Sequence, residues 1–457
     1  MTGGVWHSLI FVAAALAPTV FAQTTCGGGV QNLVAEKTKI LTINGLAEYG
    51  QCGVGAYCLG GCDPVNSFSL DSCVPAPVCQ SQTYDFSNLD GIMPNTKYLG
   101  DPTTADWVSS GSPLEYNNSV LLTMAEGTVG TLLASTRSVW YGKISARFAT
   151  SAGAGVVTAF ILLGNSKDEI DFEFVGTQLT SAQTNFYSQG VPVYTNGGNT
   201  TGLSDVHANF HEYEIDWQPD SITWSIDGNA VRTLNREDTW NETANRYYYP
   251  QTPCQVQLSL WPGGLASNGE GTIEWAGGLV QWDSPYMTNG YYYAQFDEVT
   301  VQCYDPPAGA NVNGSKSYIF TDPAMTNNTV EITNDNTVLK SFLGTGTNES
   351  AGSNTASSSG SSKTTQPATV PGLSGGGTGS NGGRGDNTTG SSDSGSGDNS
   401  GSGSSSASAT GAASTGFVQG DGGDSSNGAG QIGGKSETVL KGSLFAVVVA
   451  VVGLCIM

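Results

Sequence analysis

The chain has 457 residues, a formal net charge of −23 and 63 glycines. Proteins that bind nucleic acid usually carry a basic surface, so this charge argues against nucleic acid as a partner. The length would allow two or three domains, but the last third consists almost entirely of Ser, Gly, Thr and Asn, a composition that cannot bury enough apolar surface to fold.

The first 22 residues are typical of a secretory signal peptide. Leu9 to Ala17 form an apolar run, and Val20-Phe21-Ala22 is an acceptable cleavage site. No Lys or Arg precedes the run, which leaves a membrane anchor as the alternative. Because the run is too short to span a bilayer, we predict a signal peptide at 1–22, with cleavage after Ala22.

Residues 23–80 form a cysteine-rich segment. Its cysteines are Cys26, Cys52, Cys58, Cys62, Cys73 and Cys79. In a secreted chain they predict disulfides rather than zinc, but six cysteines allow fifteen pairings. The stretch Tyr49 to Cys58 resembles the second half of a hevein-type chitin-binding module, in which Tyr49 and Tyr57 would stack on sugars. Leu46-Ala47-Glu48 replaces the Cys-Cys-Ser that begins such modules. The alternative is therefore a purely structural, disulfide-bonded knot that does not bind chitin.

Residues 81–310 have an all-β pattern. Apolar or alternating runs occur at Val120–Met124, Lys143–Ala149, Thr158–Leu163, Tyr213–Trp217, Ile222–Ile226, Val256–Leu260 and Phe296–Val301. Turn signals such as Asp227-Gly228-Asn229 and Gly263-Gly264 separate them, and we find no convincing amphipathic helix. Strands at this spacing predict a sandwich or a barrel.

Two cysteines lie within this all-β region. Cys254 begins one predicted strand and Cys303 ends another. If those strands are antiparallel neighbours, the two sulfurs can meet, so we predict a Cys254–Cys303 disulfide. Two buried thiols are the alternative.

The segment Asp168 to Phe174 alternates acidic and apolar residues with a period of two. In a strand, Glu169, Asp171 and Glu173 would line one face within roughly 13 Å of backbone. Like charges in one row destabilise a sheet, so their concentration suggests a function. Paired carboxylates cleave glycosidic bonds, one as nucleophile or base and the other as proton donor. An acidic strand edge or a calcium-binding face is the alternative.

The residues DEIDFE at 168–173 resemble the signature of glycoside hydrolase family 16, and more narrowly that of the fungal Crh cell-wall transglycosylases. Further motifs that match in order are Tyr141-Gly142-Lys143, Gln183-Thr184-Asn185-Phe186, His211 to Trp217, Leu260 to Gly264, and Glu274 to Gly278. The resemblance covers roughly residues 50 to 305. It implies a β-jelly roll whose concave sheet carries the sugar-binding cleft.

The resemblance also implies a role for individual residues. Glu169 would be the nucleophile, Glu173 the general acid/base, and Asp171 would hold or polarise Glu169. The sugar-binding residues would be Glu173, Trp261, Thr272 and Arg246, with Gln183 and Asn185 on the neighbouring strand. The implied reaction joins chitin, the donor, to β-glucan, the acceptor. The alternatives are a β-1,3(1,4)-glucan hydrolase and a non-catalytic wall glycoprotein.

The C-terminal part indicates an anchored protein. Residues 311–427 are predicted to be a Ser/Thr/Gly-rich linker, and 428–457 a propeptide for attachment of a glycosylphosphatidylinositol (GPI) lipid at Asn427. The apolar end, Ser443 to Met457, is too short for a comfortable membrane span. The expected location is outside the cell, at the membrane or the wall. We find no metal-ligand cluster or phosphate loop in the sequence and expect no metal or cofactor.

Overall fold

The fold is described from a computed structural model. It describes residues 45–47, 52–191, 193 and 195–353. The predicted signal peptide, the predicted attachment site Asn427 and the predicted propeptide 428–457 lie outside these residues, as does Tyr49.

The described residues form strands, one short α-helix and a few single 3₁₀ turns. The strands are β1 Gly45–Ala47, β2 Cys52–Gly53, β3 Cys62–Asp63, β4 Ala76–Pro77, β5 Gln82–Asp85, β6 Ile92–Pro94, β7 Trp107–Ser110, β8 Leu114–Tyr116, β9 Ser119–Ala125, β10 Thr131–Val139, β11 Gly142–Ala149, β12 Val156–Gly164, β13 Glu169–Val175, β14 Ser181–Tyr187, β15 Gly198–Thr201, β16 His211–Trp217, β17 Ser221–Ile226, β18 Asn229–Asn235, β19 Trp240–Asn241, β20 Arg246–Tyr247, β21 Cys254–Pro262, β22 Tyr291–Cys303, β23 Asn311–Val312, β24 Ser317–Phe320 and β25 Val330–Thr333. The α-helix α1 is Glu270–Trp275, and the 3₁₀ turns are Gly55–Cys58, Leu70–Ser72, Arg236–Thr239 and Asn327–Thr329.

Two large sheets pack face to face around one hydrophobic core. The sheet that we call the acid sheet has the order β15-β14-β13-β12-β21-β10-β7-β6. The back sheet has the order β18-β17-β16-β11-β22-β9-β8, and β5 also pairs with β22. Aromatic side chains from both inner faces meet in the core, for example Phe172 of β13 and Tyr213 of β16, whose ring centroids lie 5.5 Å apart. The predicted jelly-roll sandwich is confirmed.

The period-two pattern of β13 decides which side chains enter the core. Ile170, Phe172 and Phe174 are at most 1% exposed and belong to the main core cluster. The acids between them must therefore point to the outer face of the acid sheet. On the neighbouring strand β12, Ala159 and Ile161 lie on that same outer face, in a small cluster separate from the core.

Every predicted strand run lies within an observed strand, and one predicted turn has a clear physical basis. Asp227 and Gly228 connect β17 to β18 with φ angles of 50° and 76°. Two successive positive φ angles define the type I′ turn that matches the twist of a hairpin, and Asp-Gly suits it. The helix α1 was not predicted, and within the described residues no helix is long and apolar enough to cross a membrane.

The predicted Cys254–Cys303 disulfide is wrong. Cys303 pairs with Cys79, with Cα atoms 6.0 Å apart, and Cys254 is a buried thiol. The reason is that Cys254 belongs to β21 of the acid sheet, whereas Cys303 ends β22 of the back sheet. A second disulfide, Cys62–Cys73, lies within the cysteine-rich segment.

The predicted start of the linker at residue 311 is also wrong. Strands β23, β24 and β25 lie beyond that position, and β24 pairs with β4 of the cysteine-rich segment. The chain then follows that segment: the N–H of Gly55 donates to the carbonyl of Gly344, and the N–H of Gly346 donates to the carbonyl of Ser72. We call residues 311–353 the C-terminal extension. Its strands hold the cysteine-rich segment against the sandwich.

Candidate active site

Three carboxylates line the outer face of β13. Glu169, Asp171 and Glu173 are 7%, 1% and 4% exposed. On β14 their cross-strand partners are Tyr187, Asn185 and Gln183 respectively. Directly opposite residues have Cβ atoms about 5 Å apart, so the acids face a polar row across β14.

The segment that enters β13 is fixed by the buried Asp168. Its carboxylate accepts hydrogen bonds from the backbone N–H groups of Gln189, Gln251 and Thr252, at 2.9, 2.9 and 3.0 Å. The hydroxyl of Thr252 adds a further bond of 2.7 Å. Burial raises the pKa of Asp168, and these hydrogen bonds oppose that rise. One side chain thus ties two loops to the position just before Glu169.

Burial and mutual repulsion raise the pKa values of two of the acids. Burial raises the pKa of Asp171 from 3.8 to about 7, against the opposing effects of the Arg232 charge and the Asn185 backbone N–H. Burial also raises the pKa of Glu173 well above 4.5, and the charges of Asp171 and Glu169 raise it further. Neither carboxylate oxygen of Asp171 has a hydrogen-bond partner of good geometry among the described residues. The site therefore favours the protonated form of both acids more than water does.

A cation and an indole support β13 and β14 from the back sheet. Arg232 of β18 donates to the carbonyl oxygen and the hydroxyl of Thr184, at 2.9 and 3.0 Å. Its guanidinium lies 4.7 Å from the ring centroid of Trp224, whose indole N–H donates to the carbonyl of Asp171 at 3.0 Å. Arg232 thus places a positive charge near Asp171 without occupying the outer face.

The predicted sugar-binding residues Trp261, Thr272 and Gln183 lie together at the Glu173 end of the acid row. Trp261 is only 2% exposed, because Trp275 of α1 stacks on it with ring centroids 6.0 Å apart. The indole N–H of Trp275 donates to the side-chain carbonyl of Gln183 at 2.8 Å, and Gln183 is the partner of Glu173. Thr272 is buried in α1. The half-buried Trp275 therefore covers the ring of Trp261, which the sequence predicted to bind sugar.

The other two predicted residues lie apart from this group. Asn185 donates from its side chain to the hydroxyl of Tyr187 at 2.8 Å, so it lies beside Asp171 and Glu169. Arg246 of β20 donates to the side chain of Gln189, and its guanidinium lies 5.0 Å from the ring centroid of Tyr248. Because Gln189 donates to Asp168, Arg246 is linked to the Glu169 end of the row.

Sequence reasoning did not select Trp275, Tyr187 or Arg232 for the site. Trp275 belongs to the motif Glu274 to Gly278, but the sequence did not predict the helix α1 that positions it. Tyr187 could have been found from the period of two that already joined Gln183 to Asn185. Arg232 gave no signal, because it reaches the site from the other sheet. In the described part of the chain, no group of three or more His, Cys, Asp and Glu side chains could hold a metal ion.

Comparison with known proteins identifies relatives of this chain. Residues 102–277 match glycosyl hydrolases family 16. Crh-like protein 3 of Botryotinia fuckeliana is 57% identical over 89% of this chain and 92% of that protein. For Crh-like protein 2 of Aspergillus fumigatus, the identity is 56% over 72% of this chain and 75% of that protein. A solved structure of Crh5 transglycosylase in complex with NAG is 28% identical, covers 59% of this chain and 99% of that chain, and has a TM-score of 0.48.

The chain therefore belongs to glycoside hydrolase family 16. Within that family it belongs with the Crh-like proteins, and it is an enzyme that acts on glycosidic bonds.

Proposed function

We propose that the protein is a retaining transglycosylase that cleaves chitin and transfers the released chain to β-glucan. The observation that carries this proposal is the row of three buried carboxylates on the outer face of β13. Two glutamates separated by one acid on the same face are arranged for a double displacement, in which one is nucleophile and the other is acid and then base.

In the first half-reaction, Glu169 attacks the anomeric carbon of the donor while Glu173 protonates the departing glycosidic oxygen. The raised pKa of Glu173 supports its role as proton donor, because burial and the neighbouring charges of Asp171 and Glu169 favour its protonated form. The bond to the leaving sugar breaks, the bond to Glu169 forms, and the proton leaves with the released chain end.

Asp171 lies between the two glutamates and has no hydrogen-bond partner of good geometry in the described part of the chain. With a pKa of about 7, it carries a proton at weakly acidic pH. We assign that proton to a hydrogen bond with the Glu169 carboxylate, which would orient the nucleophile and spread its negative charge. Such a bond would strengthen as Glu169 becomes the leaving group in the second half-reaction.

In the second half-reaction, an acceptor hydroxyl attacks the glycosyl-enzyme and Glu173 removes its proton. Glu169 is released as a carboxylate, and the new linkage has the configuration of the old one. Transfer exceeds hydrolysis when a bound acceptor sugar reaches the intermediate before water does. The half-buried Trp275, which is backed by the buried ring of Trp261 at the Glu173 end of the row, is the surface we assign to that acceptor.

The remaining predicted binding residues fit this assignment. Gln183 holds the Trp275 indole and lies opposite Glu173, so it would orient the acceptor platform. Asn185 beside Asp171, and Arg246 near the Glu169 end, would hydrogen-bond sugar hydroxyls on the donor side. The buried side chain of Thr272 lies in α1 beneath the platform, where its packing would help to hold the helix in place.

We also propose that the protein is secreted and is held at the cell surface by a lipid attached at Asn427. The support for this proposal is in the sequence: an apolar run within 1–22, a polar stalk, small residues around Asn427 and an apolar end. An anchored position would bring the site to the polysaccharides of the wall.

The central test incubates purified protein with chitin oligomers and labelled β-glucan oligomers, and resolves the products by mass. The wild-type protein should form a hybrid product, and the first-formed linkage should be β by proton NMR. Glu169→Gln and Glu173→Gln should each lower transfer by about 10³-fold or more without lowering the melting temperature.

Two outcomes would contradict the proposal. An initial α-anomer would exclude double displacement. Hydrolysis of β-glucan without any hybrid product would favour the glucan hydrolase.

A further inference from the structure

A cavity of about 60 Å³ lies where the cysteine-rich segment meets the outer face of the acid sheet. Leu59 and Gly60, which follow the 3₁₀ turn Gly55–Cys58, form its wall. Its floor is formed by side chains of β21, β10 and β7. None of the residues assigned to the reaction above lines it.

The cavity lies in the same transverse row of the sheet as the catalytic acids. Gln257 on the floor pairs with Ile161 of β12, and Ile161 pairs with Asp171 of β13. On the other side Gln257 pairs with Ala134 of β10, which also lines the cavity. Neighbouring strands are about 4.8 Å apart, so the floor begins about 10 Å from the acid row. A carbohydrate chain that crosses the strands covers this distance within a disaccharide.

The lining combines methyl groups with carboxamides. Leu59, Val108, Leu132 and Ala134 provide aliphatic surface. The polar side is formed by side chains that include Gln255 and Gln257, which are 8% and 1% exposed. A carboxamide supplies both hydrogen-bond donors and an acceptor. This lining is complementary to a ligand group that has a methyl at one end and an amide beside it.

The size of the cavity limits what can enter it. A volume of about 60 Å³ has room for roughly four or five water-sized groups. An acetamido substituent fills such a space, whereas a pyranose ring would not fit. A hydroxyl in the same place would leave the aliphatic side of the cavity without contacts and so lose their dispersion energy.

The wall is held firmly in position. A Cβ atom on Gly60 would lie 2.3 to 2.6 Å from the side-chain amide of Gln255, so any larger residue at position 60 would displace the end of the Gln255 side chain. The N–H of Val74 donates to the carbonyl of Cys58 at 2.6 Å, and the Cys62–Cys73 disulfide closes the loop beyond the wall. The cavity is therefore a preformed feature of the fold.

We propose that this cavity is a subsite that receives the acetamido group of an N-acetylhexosamine unit in the bound polysaccharide. The inference rests on the proposed function and extends it, because it makes the cysteine-rich segment a wall of the substrate cleft. It gives that segment a role in substrate selection that differs from both interpretations of its sequence, a separate chitin-binding module and a purely structural knot.

The first test measures transfer by the full-length secreted protein. Donors are fully acetylated chitin oligomers and matched oligomers that lack single acetyl groups. Loss of one particular acetyl group should lower kcat/KM by roughly 10- to 100-fold, since a filled apolar pocket discriminates by about that factor. Ala134→Leu fills the cavity and should remove this preference by weakening the acetylated donor.

The matched control is Ala230→Leu on the exposed side of β18, which should leave the preference unchanged. If Ala134→Leu does not fold, Ala134→Val adds less volume and should give an intermediate loss. The inference is overturned if the wild-type protein treats all the acetylation patterns alike, or if the filled variant keeps the wild-type preference.

The second test does not depend on turnover. Saturation-transfer NMR of the Glu169→Gln protein with a chitin oligomer should show one acetyl methyl saturated more strongly than the others, and Ala134→Leu should abolish that difference. Equal saturation of all methyl groups would contradict the subsite. A selective methyl contact without any transfer by the wild-type protein would refute the proposed reaction and leave the subsite intact.

Discussion

Replacing Asp171 by Asn should make the protein more stable at neutral pH while impairing its reaction. In the folded protein the pKa of Asp171 is about 7, against 3.8 for an ordinary aspartate. Between pH 4 and pH 7 the folded state therefore retains a proton that the unfolded state has released. The free energy of unfolding of the wild-type protein must fall as pH rises through this window.

The size of the effect follows from the same two values. Each tenfold change in proton affinity corresponds to about 1.4 kcal/mol, so a pKa displaced from 3.8 to about 7 lowers the stability by about 4 kcal/mol above pH 7. Asp171→Asn keeps the shape of the side chain and cannot ionise. Removing its charge also lowers the pKa of Glu173, and this further increases the stability of the variant at neutral pH.

Denaturant unfolding at a series of pH values between 4 and 8 measures this difference. The two proteins should have similar stability at pH 4, and the variant should be more stable by up to about 4 kcal/mol at pH 8. Asp305→Asn, at an exposed position, is the matched control and should follow the wild-type curve. If the stability of the variant shows the same pH dependence as that of the wild type, the raised pKa of Asp171 and its cost in stability are refuted.

Three further outcomes are expected. Trp275→Ala should lower transfer more than hydrolysis, because water needs no stacking surface; equal losses measured with both assays would make Trp275 a purely structural residue. Cys79→Ser should lower the stability in thermal unfolding by about 2–5 kcal/mol through loss of the Cys79–Cys303 bond, whereas Cys254→Ala should have a smaller effect. Deleting Ser443–Met457 should release active protein into the medium, and activity that stays with the membrane fraction would contradict the lipid anchor.

The strands and the acid face were predictable because both depend on local alternation. In β13 the apolar residues Ile170, Phe172 and Phe174 had to enter a core, and this alone assigned the intervening acids to the other face. The same period extends to Gln183 and Asn185, which lie opposite Glu173 and Asp171.

Features that depend on distant pairing were not predictable. The sequence places Cys254 and Cys303 at strand ends but does not say that the strands belong to different sheets. The extension 311–353 was predicted to be a linker because its strands are short. Its link to the rest of the protein is also not local, since β24 pairs with β4 from more than 200 residues earlier. The position of Trp275 depends on the short helix α1, which packs against Trp261, and this contact follows no sequence period.

The C-terminal extension also determines how a mechanical load would enter the enzyme. A pull applied beyond residue 353 first meets two hydrogen bonds to the cysteine-rich segment, from Gly346 to Ser72 and from Gly55 to Gly344, and later the short ladder between β24 and β4. From the segment that contains β4, the force continues through Cys79 to Cys303 at the end of the back sheet. The extension also contacts the loop after β14, where the side chain of Gln189 donates to the carbonyl oxygens of Ala324 and Met325. Tension on a tethered molecule would therefore strain the cysteine-rich segment before it reached the loop that supports the three acids.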